Sequence, residues 1–131
     1  MDVEVRRSGI DGLGVFALRA FSAGEVVLRW DVSKRVPRSQ ASGLHAAEKK
    51  YLHPYDADSF VLVQPPERYV NHSCDNNTLV SDFCDVAVRD IRPGEEVTSD
   101  YEADGAGLKF ECRCGSAKCR GSIGEHASAC P

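Results

Sequence analysis

Three cysteines near the end of the chain have the spacing of metal ligands and place the strongest demand on the fold. They form the pattern Cys112-x-Cys114-x4-Cys119, with a polar loop between the last two. A structural zinc ion takes four nitrogen or sulfur ligands in a closed tetrahedron. The fourth ligand must come from another segment, which zinc binding would join to this one. The residues that offer such a ligand are Cys74, Cys84, Cys130 and the histidines.

The cysteine count alone leaves a disulfide framework open, because the six cysteines would also suit three disulfide bonds. The N-terminal residues contain no apolar segment typical of a signal peptide. No apolar run reaches the roughly 20 residues that span a bilayer. In a reducing compartment, closely spaced thiols are metal ligands more often than disulfide partners. We therefore expect an intracellular protein, in the cytoplasm or with the nucleoid or chromatin, that has no membrane partner.

Two runs of polar side chains precede the cysteines. The first extends from Arg68 to Thr78, and the second covers residues 94–101 and ends in Asp100-Tyr101. Such density of hydrogen-bonding groups predicts a binding or catalytic site built from both runs and closed by the cysteine segment. Each residue also has a plainer explanation when taken alone. Tyr101 would serve as a core tyrosine, His72 as a structural histidine, and the asparagines as turn caps.

Short apolar segments separated by glycine and proline turns predict a mainly β fold. Strands are expected at 3–7, 26–30, 60–63 and 85–89. Residues 34–40 are expected to form a loop, and residues 41–52 a helix of two to three turns. A chain of 131 residues is long enough for one modest core.

The net charge of −4 argues against a general nucleic-acid binder. Acidic residues are concentrated between Asp82 and Asp104, where eight carboxylates stand against two arginines. An acidic rim of this kind would attract a lysine- and arginine-rich partner. The alternative is a set of solvated turns and strand faces, which explains most charge runs.

Four motifs, read in order, resemble those of SET-domain protein-lysine methyltransferases with a post-SET zinc cluster. They are Gly12-Leu13-Gly14, residues 68–74, residues 94–101 and the terminal cysteines. The resemblance covers most of the chain, whose small size resembles the minimal members from bacteria, archaea or viruses. It implies a SET-domain (β-clip) fold of short strands with a pseudoknot-like crossing and one short helix. It also implies a SET domain at 1–104, a post-SET zinc segment at 105–124 and a flexible tail at 125–131.

The resemblance also assigns site residues. S-adenosyl-L-methionine would be the methyl donor and Tyr101 the catalytic residue beside the transferred methyl. Zn²⁺ would bind Cys74 together with Cys112, Cys114 and Cys119. Ser99 would line the substrate channel, with Tyr51 or Tyr55 as the second channel tyrosine. The implied cofactor-binding residues are Gly12, Leu13, Gly14, Arg68, Asn71, His72, Tyr101 and Phe110.

The implied activity is transfer of a methyl group from S-adenosylmethionine to a lysine ε-amine of a basic protein. A homodimer is a further prediction, because small members of the family can pair. Ser99 departs from the usual family pattern, which has Phe or Tyr at this position, and the extra room predicts a higher degree of methylation. The alternatives are a non-catalytic SET module that binds a basic peptide and, less well supported, a zinc-ribbon-like interaction protein.

Overall fold

Short strands in four sheets dominate the computed structural model, which describes residues 2–103, 110–112 and 114–123. These residues contain one α-helix, α1 (Ala46–Lys49), and 3-10 helices at Arg38–Gly43 and Glu67–Tyr69. None of the described helices has the length and apolar character needed to cross a membrane. The strands are β1 (Val3–Arg7), β2 (Leu13–Ala17), β3 (Val26–Arg29), β4 (Arg35–Pro37), β5 (Leu52–Pro54), β6 (Ser59–Leu62), β7 (Asn71–His72), β8 (Thr78–Ser81), β9 (Cys84–Ala87), β10 (Glu96–Ser99), β11 (Phe110–Glu111) and β12 (Ser122–Ile123). The predicted mainly β architecture is confirmed.

The four-stranded sheet brings the two polar runs together. Its strand order is β1-β2-β10-β7, with β1 at an edge as expected. Strand β10 is antiparallel to β2 and parallel to β7, and Thr98 pairs with Asn71 in that parallel pair. A parallel pair needs a long connection between its strands. The 23 residues between β7 and β10, His72 and Glu96 excluded, form that connection and include the β8–β9 hairpin.

The other sheets surround this one. Strands β3, β9 and β8 form a three-stranded sheet, β4, β6 and β5 form another, and β11 pairs with β12. The buried core contains Val3, Val15, Ala17, Phe21, Val27, Val70, Ala87, Ile91 and Val97. The turn that follows Phe21 and the turn that follows Ile91 meet there, because these two residues form a β-bridge. Their glycines, Gly24 and Gly94, have φ values of +89° and +85°, a conformation that glycine adopts without strain.

Residues 34–54 differ from the sequence expectation. Part of the predicted loop is strand β4, which pairs with β6. The predicted helix at 41–52 shortens to the four residues of α1, and Leu52–Pro54 forms β5 on the other side of β6. None of the α1 residues is buried. Without an apolar face to bury, a longer helix gains little tertiary stabilisation, whereas β6 offers both of its edges for hydrogen bonding.

Candidate active site and metal centre

Tyr101 is fixed against the first polar run by both its backbone and its phenol. Its backbone N–H donates to Nδ1 of His72 at 3.1 Å. Its hydroxyl donates to the Val70 carbonyl, beside Asn71. The neighbouring backbone is tied as well, since Ser73 N–H donates to the Ser99 carbonyl at 3.0 Å. The β7–β10 crossing therefore determines where the phenol lies.

Asn71 holds the glycine turn, Asp11 to Gly14, which leads into β2. Asn71 is only 9% exposed. Its amide nitrogen lies 3.1 Å from the Asp11 carbonyl, 3.0 Å from the Leu13 carbonyl and 3.0 Å from Oε2 of Glu96. An amide nitrogen has only two hydrogens, so the three acceptors share them. Asn71 thus fixes the turn backbone with its nitrogen.

Glu96 is a site residue that the sequence analysis did not identify. Ser8 Oγ lies 2.9 Å from each of its carboxylate oxygens. A Cβ atom at position 14 would collide with the same carboxylate and meet the Ser8 Cβ at 3.0 Å. Gly14 is therefore required for the close approach of Glu96, while Gly12, with φ of +43°, turns the chain. Glu96 lies within the predicted motif at residues 94–101, but the sequence does not show which carboxylate of that motif points inward.

The His72 ring joins Tyr101 to the cysteines. The residue is 4% exposed, and Nε2 lies 3.3 Å from the Cys74 sulfur. Because Nδ1 accepts the Tyr101 N–H, the neutral ring carries its proton on Nε2. Burial lowers the pKa of His72, and the opposing effect of Asp100 is smaller. The His72 ring therefore lies between the backbone of Tyr101 and the Cys74 thiol.

Four sulfurs meet where the C-terminal segment returns to the first polar run. The Sγ atoms of Cys74, Cys112, Cys114 and Cys119 all lie within 4.8 Å of one another. The Cys74 and Cys112 sulfurs are 3.8 Å apart. Zn–S bonds of about 2.3 Å in a tetrahedron separate neighbouring sulfurs by about 3.8 Å, so the donor set fits zinc in number, type and spacing. Among the described residues that the spacing left open as a fourth ligand, Cys74 is the one in this cluster.

The electrostatics of the cluster also suit a metal. Burial raises the pKa of Cys112. Burial acts in the same direction on Cys114, but hydrogen bonds from the backbone and from the neighbouring thiols outweigh it and lower that pKa to about 7. A thiol that ionises near neutral pH is ready to bind a metal. Cys84, which is buried, is not part of this group, and Cys130 lies outside the described residues.

Arg120 lies between the thiols and two carboxylates. Its backbone N–H and its Nε each donate to the Cys74 sulfur at 3.3 Å. Its guanidinium also reaches Asp100 at 2.9 Å and Glu102 at 3.4 Å. The side chain is 13% exposed, so screening by solvent is reduced. Arg120 directly follows Cys119, and this position is the only signal in the sequence for its role.

A cavity of about 280 Å³ lies beside Tyr101. Small-molecule sites are typically concave and of about this size or larger. Seven of the predicted site residues line it: Gly12, Leu13, Tyr51, Arg68, Asn71, Ser99 and Tyr101. Further lining residues that the sequence analysis did not single out are Asp11, Trp30, Lys50, Leu52, His53, Val63, Glu67, Tyr69, Val70, Val80 and Asp85.

The remaining predicted residues lie elsewhere or outside the description. His72 and Gly14 lie behind the cavity wall, against Cys74 and Glu96 respectively. The Tyr55 ring lies 5.2 Å from that of Phe83, whereas Tyr51 reaches the cavity. The Phe110 side chain lies outside the described residues, so its predicted contact with the cofactor stays a prediction.

Two cations lie against the Tyr51 ring at one side of the cavity, and one of them, Arg68, also lies 3.5 Å from the Glu48 carboxylate. The Arg68 guanidinium lies 4.3 Å from the centre of the Tyr51 ring, and the Lys50 ammonium lies 5.0 Å from it. Arg68 is held by a 2.8 Å hydrogen bond from Nε to the Val63 carbonyl. Aromatic faces beside cations suit a ligand with a planar ring and a carboxylate.

Comparison with known proteins identifies similar sequences. The family model described as "SET domain" matches residues 12–102. The histone-lysine N-methyltransferase set1 of Dictyostelium discoideum is 29% identical over 92% of the chain and 9% of its own length. The H3 lysine-4 specific histone-lysine N-methyltransferase of Cryptococcus neoformans is 32% identical over 88% of the chain and 9% of its own. The histone-lysine N-methyltransferase set9 of Schizosaccharomyces pombe is 33% identical over 84% of the chain and 26% of its own length. The chain thus spans a small part of each relative.

Proposed function

The chain belongs to the SET domain family, and on that premise we propose that it is an S-adenosylmethionine-dependent protein-lysine N-methyltransferase. Its relatives named above are histone-lysine N-methyltransferases, which supports lysine as the acceptor. The chain covers only a small part of those proteins, so activity and substrate are proposed from the site itself. The observation that carries the proposal is the Tyr101 phenol, held by the Val70 carbonyl at the wall of the cavity.

The donor chemistry of the cavity fits S-adenosylmethionine. Arg68 and Lys50 would receive its carboxylate, and the Tyr51 ring offers an aromatic face. The backbone of the glycine turn, fixed by Asn71, forms another part of the wall. When bound, this cofactor supplies an electrophilic methyl group on a sulfonium. Asn71 therefore acts mainly by positioning the turn, and Arg68 by binding charge.

Methyl transfer to an amine is an in-line displacement, for which alignment supplies much of the rate gain. Tyr101 is the residue that aligns the reacting groups, because its hydroxyl is fixed at a single carbonyl. The acceptor lysine must be neutral, although its pKa in water is about 10.4. Burial beside a cationic group lowers that pKa. Solvent then takes the proton, and Tyr101 need not act as a full base.

We further propose that the four clustered cysteines hold a structural zinc ion. Zinc would fix the segment from Cys112 to Cys119 against Cys74. We also propose an intracellular location, because closely spaced thiols serve as metal ligands more often than as disulfide partners in a reducing compartment. The division into a SET domain at 1–104, a post-SET segment at 105–124 and a tail at 125–131 follows from the same proposal. Light scattering would test the predicted homodimer.

The substrate class proposed is a lysine-rich basic protein, with histone tails as the first candidates given the names of the relatives. Transfer of tritiated methyl from S-adenosylmethionine to a panel of basic proteins, histones included, tests the activity. Label on lysine in at least one of them is expected, and calorimetry should detect cofactor binding. Cofactor binding without transfer to any acceptor would favour the second candidate, a non-catalytic module that binds basic peptides. Absence of cofactor binding would contradict the proposed enzyme.

A further inference from the structure

Strand β1 has an open edge. It lies at the outside of the four-stranded sheet, and among the described elements β2 is the strand that pairs with it. The pairing is regular from Val3 to Arg7, without a bulge, and β1 contains no proline. Bulges and prolines are two of the features that keep a sheet edge from pairing with another chain. Charged side chains are a third, and β1 has them, so their arrangement decides what this edge can accept.

The backbone groups of β1 alternate between β2 and the open edge. Just beyond the two ends of the strand, Leu18 N–H donates to the Asp2 carbonyl and Ser8 N–H donates to the Gly12 carbonyl. Hydrogen-bonded pairs recur at every second residue of an antiparallel ladder, so the even-numbered residues of β1 point their N–H and C=O groups at β2. The β1 residues that point these groups at the open edge are Val3, Val5 and Arg7.

The side chains of β1 carry opposite charges on either side of Val5. Glu4 and Arg6 are exposed and form an ion pair, with 3.1 Å between Oε1 and Nε. The Arg6 guanidinium also lies 4.2 Å from the centre of the Phe16 ring, which restrains its position. On the opposite face, beside the buried Val15, the Val5 residue is 38% exposed. The edge therefore presents an acid, an apolar side chain and a cation in sequence.

A two-fold axis at Val5 makes two copies of β1 fit as antiparallel strands. Val5 would face its own copy and Val3 would face Arg7, so that every outward-pointing residue belongs to a hydrogen-bonded pair. Glu4 would lie opposite Arg6 in the non-hydrogen-bonded pairs, where side chains are closest and opposite charges stabilise. A shift by two residues in either direction would place Glu4 opposite Glu4 or Arg6 opposite Arg6. Like charges directly opposite are destabilising, so the charges select this one register.

We propose that β1 is a self-association edge, at which two copies of this chain pair antiparallel about Val5 and join their four-stranded sheets into one continuous sheet. A second copy is favoured over an unrelated strand because it brings the matching order of charges. The contact is isologous, so it closes as a dimer. It gives the predicted homodimer a defined interface and depends neither on the cofactor nor on the proposed activity. One strand pair is a small interface, so we expect a Kd on the order of 10–100 µM.

The wild type tests the proposal without any substitution. Sedimentation velocity from about 5 µM to about 500 µM, a range that brackets the expected Kd, should show a monomer–dimer equilibrium. Amide hydrogen exchange, resolved by NMR, should slow several-fold at Val3, Val5 and Arg7 as the dimer forms. It should change much less at Glu4 and Arg6, whose N–H groups are already bonded to β2. A chain that stays monomeric, or a dimer in which exchange at Val5 is unchanged, would overturn the assignment.

Two charge reversals test the register. Glu4→Arg gives the edge two cations and Arg6→Glu gives it two anions. Each variant alone should therefore stay monomeric at concentrations where the wild type is mostly dimeric. Mixed in equal amounts, the two variants should form a heterodimer, because every charge then lies opposite its counterpart. The chain that carries both substitutions should form a homodimer again. Asp58→Arg and Lys49→Glu make the same charge changes at exposed positions elsewhere and should dimerise like the wild type.

The mixing experiment also separates the possible failures. Dimerisation that returns on mixing cannot come from damage to either chain, and circular dichroism identifies a variant that does not fold. In that case the exchange pattern of the wild type still decides. Dimers of both single variants as strong as that of the wild type, with no preference for the mixture, would overturn the proposal. A wild-type dimer with these properties but no methyl transfer would contradict the proposed enzyme and leave the interface standing.

Discussion

The Asn71 amide nitrogen lies 3.0 Å from the Glu96 carboxylate, and this hydrogen bond joins the two polar runs at the glycine turn. Asn71 also donates to the Asp11 and Leu13 carbonyls, while Ser8 donates to Glu96 from the other side. The turn is therefore held by a network in which a single carboxylate has several partners. Cofactor binding should depend on this network even where its members do not touch the cofactor.

Gly14→Ala should disrupt the network, because the added methyl group collides with the Glu96 carboxylate. We expect a loss of about 1–3 kcal/mol in the free energy of unfolding, typical of overpacking, and weaker S-adenosylmethionine binding. Urea denaturation and calorimetry measure the two effects. Gly9→Ala is the matched control, because a Cβ there meets nothing within 4 Å. Equal effects of the two substitutions would contradict the role of Gly14.

Tyr101→Phe should reduce turnover by about 100-fold or more while S-adenosylmethionine binding persists. The phenol hydroxyl, fixed at the Val70 carbonyl, is lost while the ring that packs near His72 remains. Single-turnover transfer assays and calorimetry separate the two effects. A Tyr101→Phe enzyme with wild-type turnover would remove Tyr101 from the mechanism.

The substitutions Tyr51→Phe and Tyr55→Phe should distinguish the two predicted channel tyrosines. The larger loss of activity is expected for Tyr51→Phe, because Tyr51 lines the cavity.

Metal analysis should find one zinc ion per chain, and Cys119→Ala should lose most of it. Release of zinc should lower both stability and cofactor affinity, because the Cys74 sulfur meets the His72 ring that accepts the Tyr101 N–H. Protein refolded without zinc, examined by calorimetry, checks this link. Full cofactor affinity in zinc-free protein would show that the C-terminal segment is not needed to form the site.

Arg120→Gln should retain zinc and still lose about 1–3 kcal/mol of unfolding free energy, as expected for partly buried hydrogen bonds between charged groups. Arg120 contacts the Cys74 sulfur and the carboxylates of Asp100 and Glu102. Arg89→Gln removes an exposed pair with Glu95 and should cost much less. Urea denaturation compares the two. A loss of zinc in Arg120→Gln would instead make the arginine part of the metal site.

Ser99→Tyr should lower the number of methyl groups added. Ser99 is 2% exposed and lines the cavity, so a large ring there would fill space beside Tyr101. Mass spectrometry of a methylated peptide should show di- or trimethyl product for the wild type and mainly monomethyl product for the variant. Ser81→Tyr, at an exposed position of β8, should leave the product unchanged. A wild type limited to one methyl group would refute the proposed multiplicity.

Stability should fall as the pH is lowered through about 6.5, the ordinary pKa of histidine. Burial lowers the pKa of His53 in the folded state, so the unfolded chain takes up the proton first. The stabilisation is present above the unfolded pKa and is lost as the pH falls towards the folded pKa. Urea denaturation between pH 8 and pH 5 should show a smaller loss of unfolding free energy in His53→Gln than in the control His45→Gln. His45 is exposed, so its replacement should leave the pH dependence of the wild type.

Much of the architecture was predictable from local pattern. The β1 strand, the glycine turn and the Pro-Gly turn before β10 follow from alternation and turn residues, which act over a few neighbours. Residues 34–54 were not predictable in this way. Strands β4 and β5 form because β6 offers them its edges, and the helical pattern at 41–52 has no buried face that would stabilise it.

The amino-acid sequence by itself determined the family, the mainly β class and the chemistry of the site, because motif order, thiol spacing and residue type are written along the chain. Only the tertiary structure brought the Cys74 sulfur within 4.8 Å of the other three and placed Glu96 at the glycine turn, Arg120 beside Cys74 and Asp85 at the cavity wall. These choices depend on which distant segments become neighbours, and the parallel pairing of β7 with β10 decides that. A residue's type is a local property, but its burial and its partners are not.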